Sequence, residues 1–258
     1  MNNKSIAVIC MALVCSLMIS CVPQEKVRYM QDPQGAVPKS YFENKIPDYK
    51  VQPGDYLFIR LFTMDKETND VYAGMNGSGQ YSSNNEQGIY LNSYQVNDSG
   101  LINFPLLGKI KAGGLDIQEI ERQIHDLMLK EIANPGVIVR LVNFRVTVLG
   151  EVKNPGTFSI NQSCITIFEA FSLADDLTTY SNRNAVKLLR KIDGNTMVYT
   201  LDLTKKDILS SEFYYLRPGD ILYVEPLKNK QFAFESFPYS LILSSLSTVL
   251  ALMTFFKF

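Results

Sequence analysis

The chain has 258 residues, of which 46% are hydrophobic and 20% are charged, and its formal net charge is −1. A charge so close to zero gives no field that would attract nucleic acid, so no nucleic-acid partner is expected. The single histidine, His125, makes most zinc sites and histidine-based catalytic sites hard to build. Function must therefore come from the organisation of the chain, whose apolar residues are concentrated at its two ends.

Residues 1–20 have the pattern of a secretory signal peptide. One cation, Lys4, precedes an uncharged apolar run of about 14 residues, which is shorter than a membrane-spanning helix. The run ends in LMISC, a sequence that resembles a bacterial lipoprotein box. We therefore predict lipidation at Cys21; an uncut signal anchor and a soluble secreted protein are the alternatives.

Lipidation of Cys21 would leave Cys164 as the one cysteine of the mature globular part, because Cys10 and Cys15 lie in the signal. No intrachain disulfide could then form. We interpret Cys164 as a small core residue, since no nearby cysteine or histidine would make it a ligand or a nucleophile.

Residues 21–45 are predicted to be a tether, because prolines interrupt a polar stretch. The globular part begins near Tyr49, where Pro53-Gly54 predicts a type II turn directly before a strand. The same device recurs at Pro218-Gly219, about 165 residues later. The recurrence predicts two related, β-rich units.

In the first unit, residues 68–95 are rich in Gly, Asn, Ser and Tyr and are predicted to be a long mobile loop. Short strands follow between residues 97 and 110. A helix is then predicted after Asp116, with Glu119 completing a capping box, and Asn134-Pro135-Gly136 ends it. His125 falls at the flank of the apolar stripe of this helix, so we interpret it as a surface or boundary residue.

The first unit closes with a strand predicted at 137–142, and in the second unit strands are predicted at 144–149 and 157–160. A second helix is predicted to begin at Thr166, with Glu169 as its capping-box partner. A hairpin is predicted from the segments 186–192 and 197–203, which flank Asp193-Gly194. Both units are thus predicted to be α+β.

Residues 237–257 are predicted to form a C-terminal transmembrane helix. The 19 residues from Pro238 to Phe256 carry no charge, and a helix of that length is about 28 Å long. Small and hydroxyl residues share one face of it, and we predict that they line a pore: Ser240, Ser244, Ser247, Thr248, Ala251 and Thr254. A helix-packing face and a plain anchor are the alternatives.

No arrangement of residues predicts catalysis, a cofactor or a metal. The carboxylate pairs Asp175-Asp176 and Glu119 with Glu121 are interpreted as solvated surface. The sequence contains no Ser/His/Asp motif, no P-loop and no paired cysteines. We therefore predict that the protein is not an enzyme.

Four stretches of the chain resemble one family. They are VQPGDYLFIRLF, GLINFPLLGKIKAGGLDIQEIERQI, VTVLGEVKNPGTFSI and LRPGDILYVEP. In order and spacing they resemble the bacterial polysaccharide export proteins, outer-membrane lipoproteins through which capsular or extracellular polysaccharide leaves the cell. The resemblance implies a polysaccharide-export domain at 46–143 and a single SLBB β-grasp domain at 144–226. The chain departs from the family in two ways. It carries an insertion at 68–95, and it has one β-grasp domain where the best-known members have two.

The expected fold class is therefore α+β, with two small β-rich domains followed by a transmembrane helix. The resemblance implies a lipid-anchored homo-oligomeric ring in the outer membrane, with its globular part in the periplasm, that passes polysaccharide without chemistry of its own. It implies an inner-membrane polysaccharide co-polymerase, often a tyrosine kinase, as partner. The alternative is a periplasmic carbohydrate-binding or scaffold lipoprotein with a second membrane anchor; a glycan-modifying enzyme is a third reading.

Overall fold

A computed structural model of the chain describes residues 25, 27–32, 41–64, 86–105, 107–192, 194–228, 230 and 239–255. The predictions for the signal peptide and for Cys21 lie outside these residues. So does most of the predicted loop at 68–95.

The first domain is built around a three-stranded antiparallel sheet. In chain order its elements are β1 (Tyr56–Phe62), α1 (Glu86–Leu91), β2 (Tyr94–Gln95), β3 (Leu101–Phe104), β4 (Gly108–Lys111), α2 (Ile117–Met128) and β5 (Gly136–Leu141). The strand order is β2-β1-β5, and β3 with β4 forms a separate antiparallel hairpin. Sequence reasoning missed α1 and β2, which lie inside the predicted loop.

Helix α2 begins as predicted. The Asp116 carboxylate accepts a hydrogen bond from the backbone N–H of Glu119 (2.8 Å), and the Glu119 carboxylate accepts one from the N–H of Asp116 (2.8 Å). This capping box satisfies two amides that the first turn of a helix leaves unpaired. The predicted apolar stripe buries Ile120, Ile124 and Met128 against the sheet, whereas the side chain of His125 is 43% exposed.

The second domain contains a five-stranded sheet and one short helix. Its elements are β6 (Arg145–Gly150), β7 (Gly156–Ser159), β8 (Ile165–Thr166), α3 (Ile167–Leu173), β9 (Val186–Ile192), β10 (Asn195–Leu201), β11 (Tyr215–Leu216) and β12 (Ile221–Val224). The order is β10-β9-β12-β6-β7, with β12 parallel to β6 and the other neighbours antiparallel. The predicted second capping box and the predicted hairpin of β9 and β10 are confirmed.

One face of this sheet packs on α3 and forms the core of the domain. Residues at alternating positions of β6, β9 and β12, including Val148, Leu188 and Leu222, are fully buried against Phe171 and Ala170 of α3. Alternation of buried and exposed residues is what a strand with one covered face requires. The opposite face is therefore open to solvent over most of its area.

Residues 27–32, inside the predicted tether, lie on the second domain; we call them the N-terminal strap. The Tyr29 hydroxyl donates to the Asp176 carboxylate (2.6 Å), and its ring meets Phe168 edge-on and lies beside the Arg183 guanidinium, 4.9 Å from the ring centre. The Lys206 ammonium pairs with Asp32 at 2.6 Å. The chain is thus attached to the second domain before it enters the first.

The C-terminal helix α4 (Tyr239–Phe255) has 17 residues, which corresponds to about 26 Å. The hydrocarbon core of a bilayer is about 30 Å thick. Among the described residues, no helix has both the length and the apolar character needed to cross a membrane. The prediction of a transmembrane helix at 237–257 is therefore wrong. As described, the helix covers 17 of the 21 residues in the predicted span, so it falls short in length.

Candidate functional site

The first of the two Pro-Gly turns holds a buried carboxylate. Gly54 takes the left-handed conformation, with φ of +93°, that such a turn requires. The Asp55 carboxylate, directly after it, accepts hydrogen bonds from the Gln52 N–H (2.9 Å), the Tyr49 hydroxyl (2.8 Å) and the Asn143 amide (3.3 Å). Burial is the largest cause, and the Asp55 charge the next, of a raised pKa at Tyr49.

The second turn repeats this arrangement with a stronger partner. Gly219 has φ of +82°, and the Asp220 carboxylate accepts from the Arg217 N–H at 2.8 Å. It also receives two hydrogen bonds from the Arg190 guanidinium, at 2.9 and 2.6 Å. In both turns the carboxylate therefore closes the loop onto the backbone N–H three residues earlier.

Both turns form hydrogen bonds at the short connection between the two domains, residues 142–145. The Asn143 side-chain oxygen accepts from the Tyr56 N–H at the start of β1 (3.1 Å). Two residues later, the Arg145 carbonyl accepts from the Gly219 N–H (2.8 Å). The repeated motif thus positions the start of a strand in each domain and anchors the connection from both sides.

A cleft of about 590 Å³ lies next to the second turn, whose Arg217 is part of its lining. It lies between the residues that lead into the first domain and the segment that precedes the second turn. Its lining is mostly polar with two tyrosines: Glu43, Asn44, Lys45, Pro47, Ser210, Ser211, Glu212, Tyr214, Tyr215 and Arg217. Burial raises the pKa of Tyr214, whose ring packs against Tyr215 with centroids 5.1 Å apart.

The structure places the predicted pore-lining residues along α4. Ser240, Ser244, Ser247, Thr248 and Ala251 are exposed, and Thr254 lies in the last turn, where its side chain is outside the described part. The hydroxyls of Ser244, Ser247 and Thr248 donate to carbonyls three or four residues earlier in the same helix. Such bonds satisfy the hydroxyls locally.

The structure also shows the surroundings of Asp175, Asp176 and Cys164, which were singled out from the sequence. Asp175 and Asp176 both have positive φ, at 56° and 73°, where they end α3, and Asp176 is half-buried under Tyr29 rather than simply solvated. The thiol of Cys164 is free and half-buried, so it lies at the edge of the core. Within the described ranges, no group of three or more His, Cys, Asp or Glu side chains is arranged to hold a metal ion.

Sequence reasoning did not assign roles to Asp55, Asp220, Asn143 or Arg190. The sequence did point to the two aspartates, because an aspartate directly follows Pro-Gly in each copy of the motif. No sequence pattern pointed to Arg190, because it lies 30 residues from Asp220 in the chain and meets it through strand pairing.

The geometry defines a two-domain α+β protein. Its second unit is a β-grasp domain, in which one helix covers one face of a mixed sheet. The polar groups of the turns at the junction have structural hydrogen-bond partners. Two family comparisons agree with this division. Residues 43–142 match the family described as polysaccharide biosynthesis/export protein, and residues 144–224 match the SLBB domain. The two matches follow one another along the chain and confirm the family predicted from the four stretches.

Two curated relatives are named as polysaccharide export outer membrane proteins. The EPS I polysaccharide export outer membrane protein EpsA of Ralstonia solanacearum is 27% identical over 191 residues, which are 72% of this chain and 50% of the relative. The protein of the same name from Ralstonia nicotianae is 31% identical over 139 residues, which are 52% of this chain and 36% of the relative. The chain thus spans half or less of the length of these relatives.

Proposed function

We propose that this protein is a lipid-anchored subunit of a homo-oligomeric outer-membrane conduit for capsular or extracellular polysaccharide, and that it catalyses no reaction. The observation that carries the proposal is the succession of an export domain and an SLBB domain along one chain. The names of the two relatives support both polysaccharide as the cargo and the outer membrane as the location.

The junction suits a subunit that keeps a fixed shape in an assembly. The connection between the domains is bonded on one side through Asn143 and on the other through Arg145, and it contains no Gly or Pro. Polar groups with fixed partners at such a position favour one arrangement of the domains.

In this proposal a lipid on Cys21 attaches the chain to the membrane. Cys21 lies eight residues before Tyr29 in sequence, and an extended chain of that length reaches at most about 28 Å. The strap would therefore keep the β-grasp domain close to the acylated end. An inner-membrane co-polymerase would deliver the polymer from the periplasmic side.

The proposal is tested in cells and in detergent. Deletion of the gene is expected to abolish surface polysaccharide. The wild-type gene should restore it, whereas C21S should not, and C21S should lose metabolic labelling with palmitate. Detergent-extracted protein should appear as rings in negative-stain images. Retained surface polysaccharide after deletion would contradict the export role; a monomeric particle would contradict the conduit and favour a carbohydrate-binding lipoprotein.

A further inference from the structure

The solvent-facing side of the β-grasp sheet, which we call the outer face, has an unusual composition. Its cations are Arg145, Lys187 and Lys191, its hydroxyls are Thr147, Thr157, Ser159, Thr196, Thr200 and Tyr223, and its apolar side chains are Leu149, Leu189, Val198 and Ile221. None of these described strand positions carries a carboxylate, although acidic residues outnumber basic ones by one in the whole chain.

Strand register arranges these side chains in rows across the sheet. The central row runs through Val198, Leu189, Ile221, Thr147 and Thr157, one residue from each strand. Thr147 and Thr157 hydroxyls are hydrogen-bonded at 3.0 Å, which confirms that they share the face.

The flanking rows carry the cations. On one side, Lys187 lies between Thr200 and Tyr223 and donates to the Thr200 hydroxyl at 2.9 Å. On the other side, Lys191 and Arg145 are two strands apart, because the turn at Gly219 lies between them. From the spacings of a sheet, Lys191 is about 10 Å from Arg145 and about 13 Å from Lys187 along its own strand.

The apolar part of the outer face is also accessible. Val198, Leu149 and Tyr223 are 59%, 42% and 39% exposed, so no described residue packs closely over them. Exposed apolar side chains ringed by polar ones mark interaction surfaces.

We propose that the outer face is a contact surface for a polyanionic polysaccharide, one whose sugars bear carboxylates. The inference rests on the proposed export function and specifies the charge class of the cargo. Lysine and arginine pair with carboxylates, hydroxyls can donate to or accept from sugar hydroxyls, and the tyrosine ring with the aliphatic row offers a flat apolar support for the faces of sugar rings.

Contacts between these exposed groups and a polysaccharide would be weak, which suits a polymer that moves along the face. Ion pairs between exposed groups contribute little each and are weakened by salt. A polymer would therefore exchange one contact for the next along the face without being held.

Charge also argues against two copies of the outer face meeting each other in a symmetric contact. A two-fold symmetric contact would place the same patch on both sides, so that cations would face cations. An anionic partner neutralises them.

The test uses the full-length protein in detergent, with sodium alginate, a polyuronate, as the anionic probe and dextran as the neutral one. Binding is measured at low and at high salt for wild type and for the combined variant R145Q/K187Q/K191Q. The matched control is K109Q/R122Q/K130Q, which removes the same charge from exposed positions on the first domain. Unfolding in urea shows whether each variant is folded, and Y223S provides an uncharged second probe of the face.

We expect wild type and the control to bind alginate with similar affinity, more tightly than dextran and less tightly at high salt. The outer-face variant should lose about tenfold in affinity, as the sum of three weak pairs. Equal binding of dextran, or unchanged alginate binding by the variant, would overturn the proposal. So would a variant that changes the size of the oligomer but not alginate binding, since the face would then be a protein interface. These binding outcomes do not depend on the gene-deletion result, so the two proposals can fail separately.

Discussion

Arg190 and Asp220 form a two-point ion pair in the interior of the β-grasp domain. Guanidinium nitrogens lie 2.9 and 2.6 Å from the two carboxylate oxygens, and the side chains are 3% and 1% exposed. The carboxylate also closes the turn through the Arg217 N–H. This one pair therefore joins β9 to the turn that leads into β12.

Removing one partner of this pair is expected to be costly, because the other charge would remain buried without compensation. R190M should lower the free energy of unfolding by about 3–5 kcal/mol, and the double variant R190M/D220L should lose less than R190M alone. Urea unfolding followed by circular dichroism measures both. K205M, which breaks the exposed pair of Lys205 with Asp202, should change it by no more than about 1 kcal/mol. A similar loss in R190M and K205M would contradict the assigned role.

Gly150 is expected to tolerate no side chain. Its φ is +90°, and a Cβ there would clash with the Val224 carbonyl oxygen of the neighbouring strand β12. Gly194 has a similar φ of +81° with no atom within 4 Å of a Cβ. G150A and G194A should share the cost of the left-handed backbone, and G150A should lose about 1–3 kcal/mol more because it also clashes. Equal losses in urea unfolding would show that β12 moves aside freely.

The capping box of α2 should give a pH-dependent contribution to stability. The Glu119 N–H, followed by Lys50, lowers the pKa of Asp116, and the Asp116 N–H, followed by Lys50, lowers that of Glu119. Because these pKa values are lower in the folded state, the carboxylates stabilise the fold above their unfolded pKa values. That stabilisation is lost as the pH falls through the folded values, below about 4.

D116A should therefore lower the free energy of unfolding by about 1 kcal/mol at neutral pH, and the difference from wild type should shrink at acidic pH. Urea unfolding at several pH values measures it. D126A, on the same helix with a side chain that is 77% exposed, serves as control and should show no such change. A difference that stays constant down to acidic pH would contradict the role of the charged cap.

Tyr29 is expected to hold the N-terminal strap in place. Burial, and then its hydrogen bond to Asp176, raise the pKa of its phenol. Y29A should release the strap, so that trypsin cleaves after the exposed Arg28 several-fold faster, as measured by mass spectrometry. Y41A, at a tyrosine that is 74% exposed, should leave the cleavage rate unchanged. Unchanged cleavage in Y29A would mean that other contacts suffice.

Local patterns accounted for much of the secondary structure. The capping boxes at Asp116 and Thr166 and the turn at Gly54 were predicted correctly, because each depends on residues within a few positions of one another. The helix α1 and the short strand β2 were missed because they lie in a polar segment without apolar periodicity, and β2 pairs with β1, which is distant in the chain.

The membrane prediction failed for a different reason. The uncharged run predicted a helix over 237–257, whereas the described helix covers Tyr239–Phe255. Composition alone does not say where such a helix begins and ends.

By itself the sequence determined the family, the two domains implied by its motifs and the caps that start the helices, because those signals are local. The tertiary structure alone decided that Arg190 meets Asp220, that Tyr29 holds the strap, and that cations from β6 and β9 share one face, whose described strand positions carry no carboxylate. Each of these depends on the order and register of strands distant in the chain, and no short stretch of residues specifies that order.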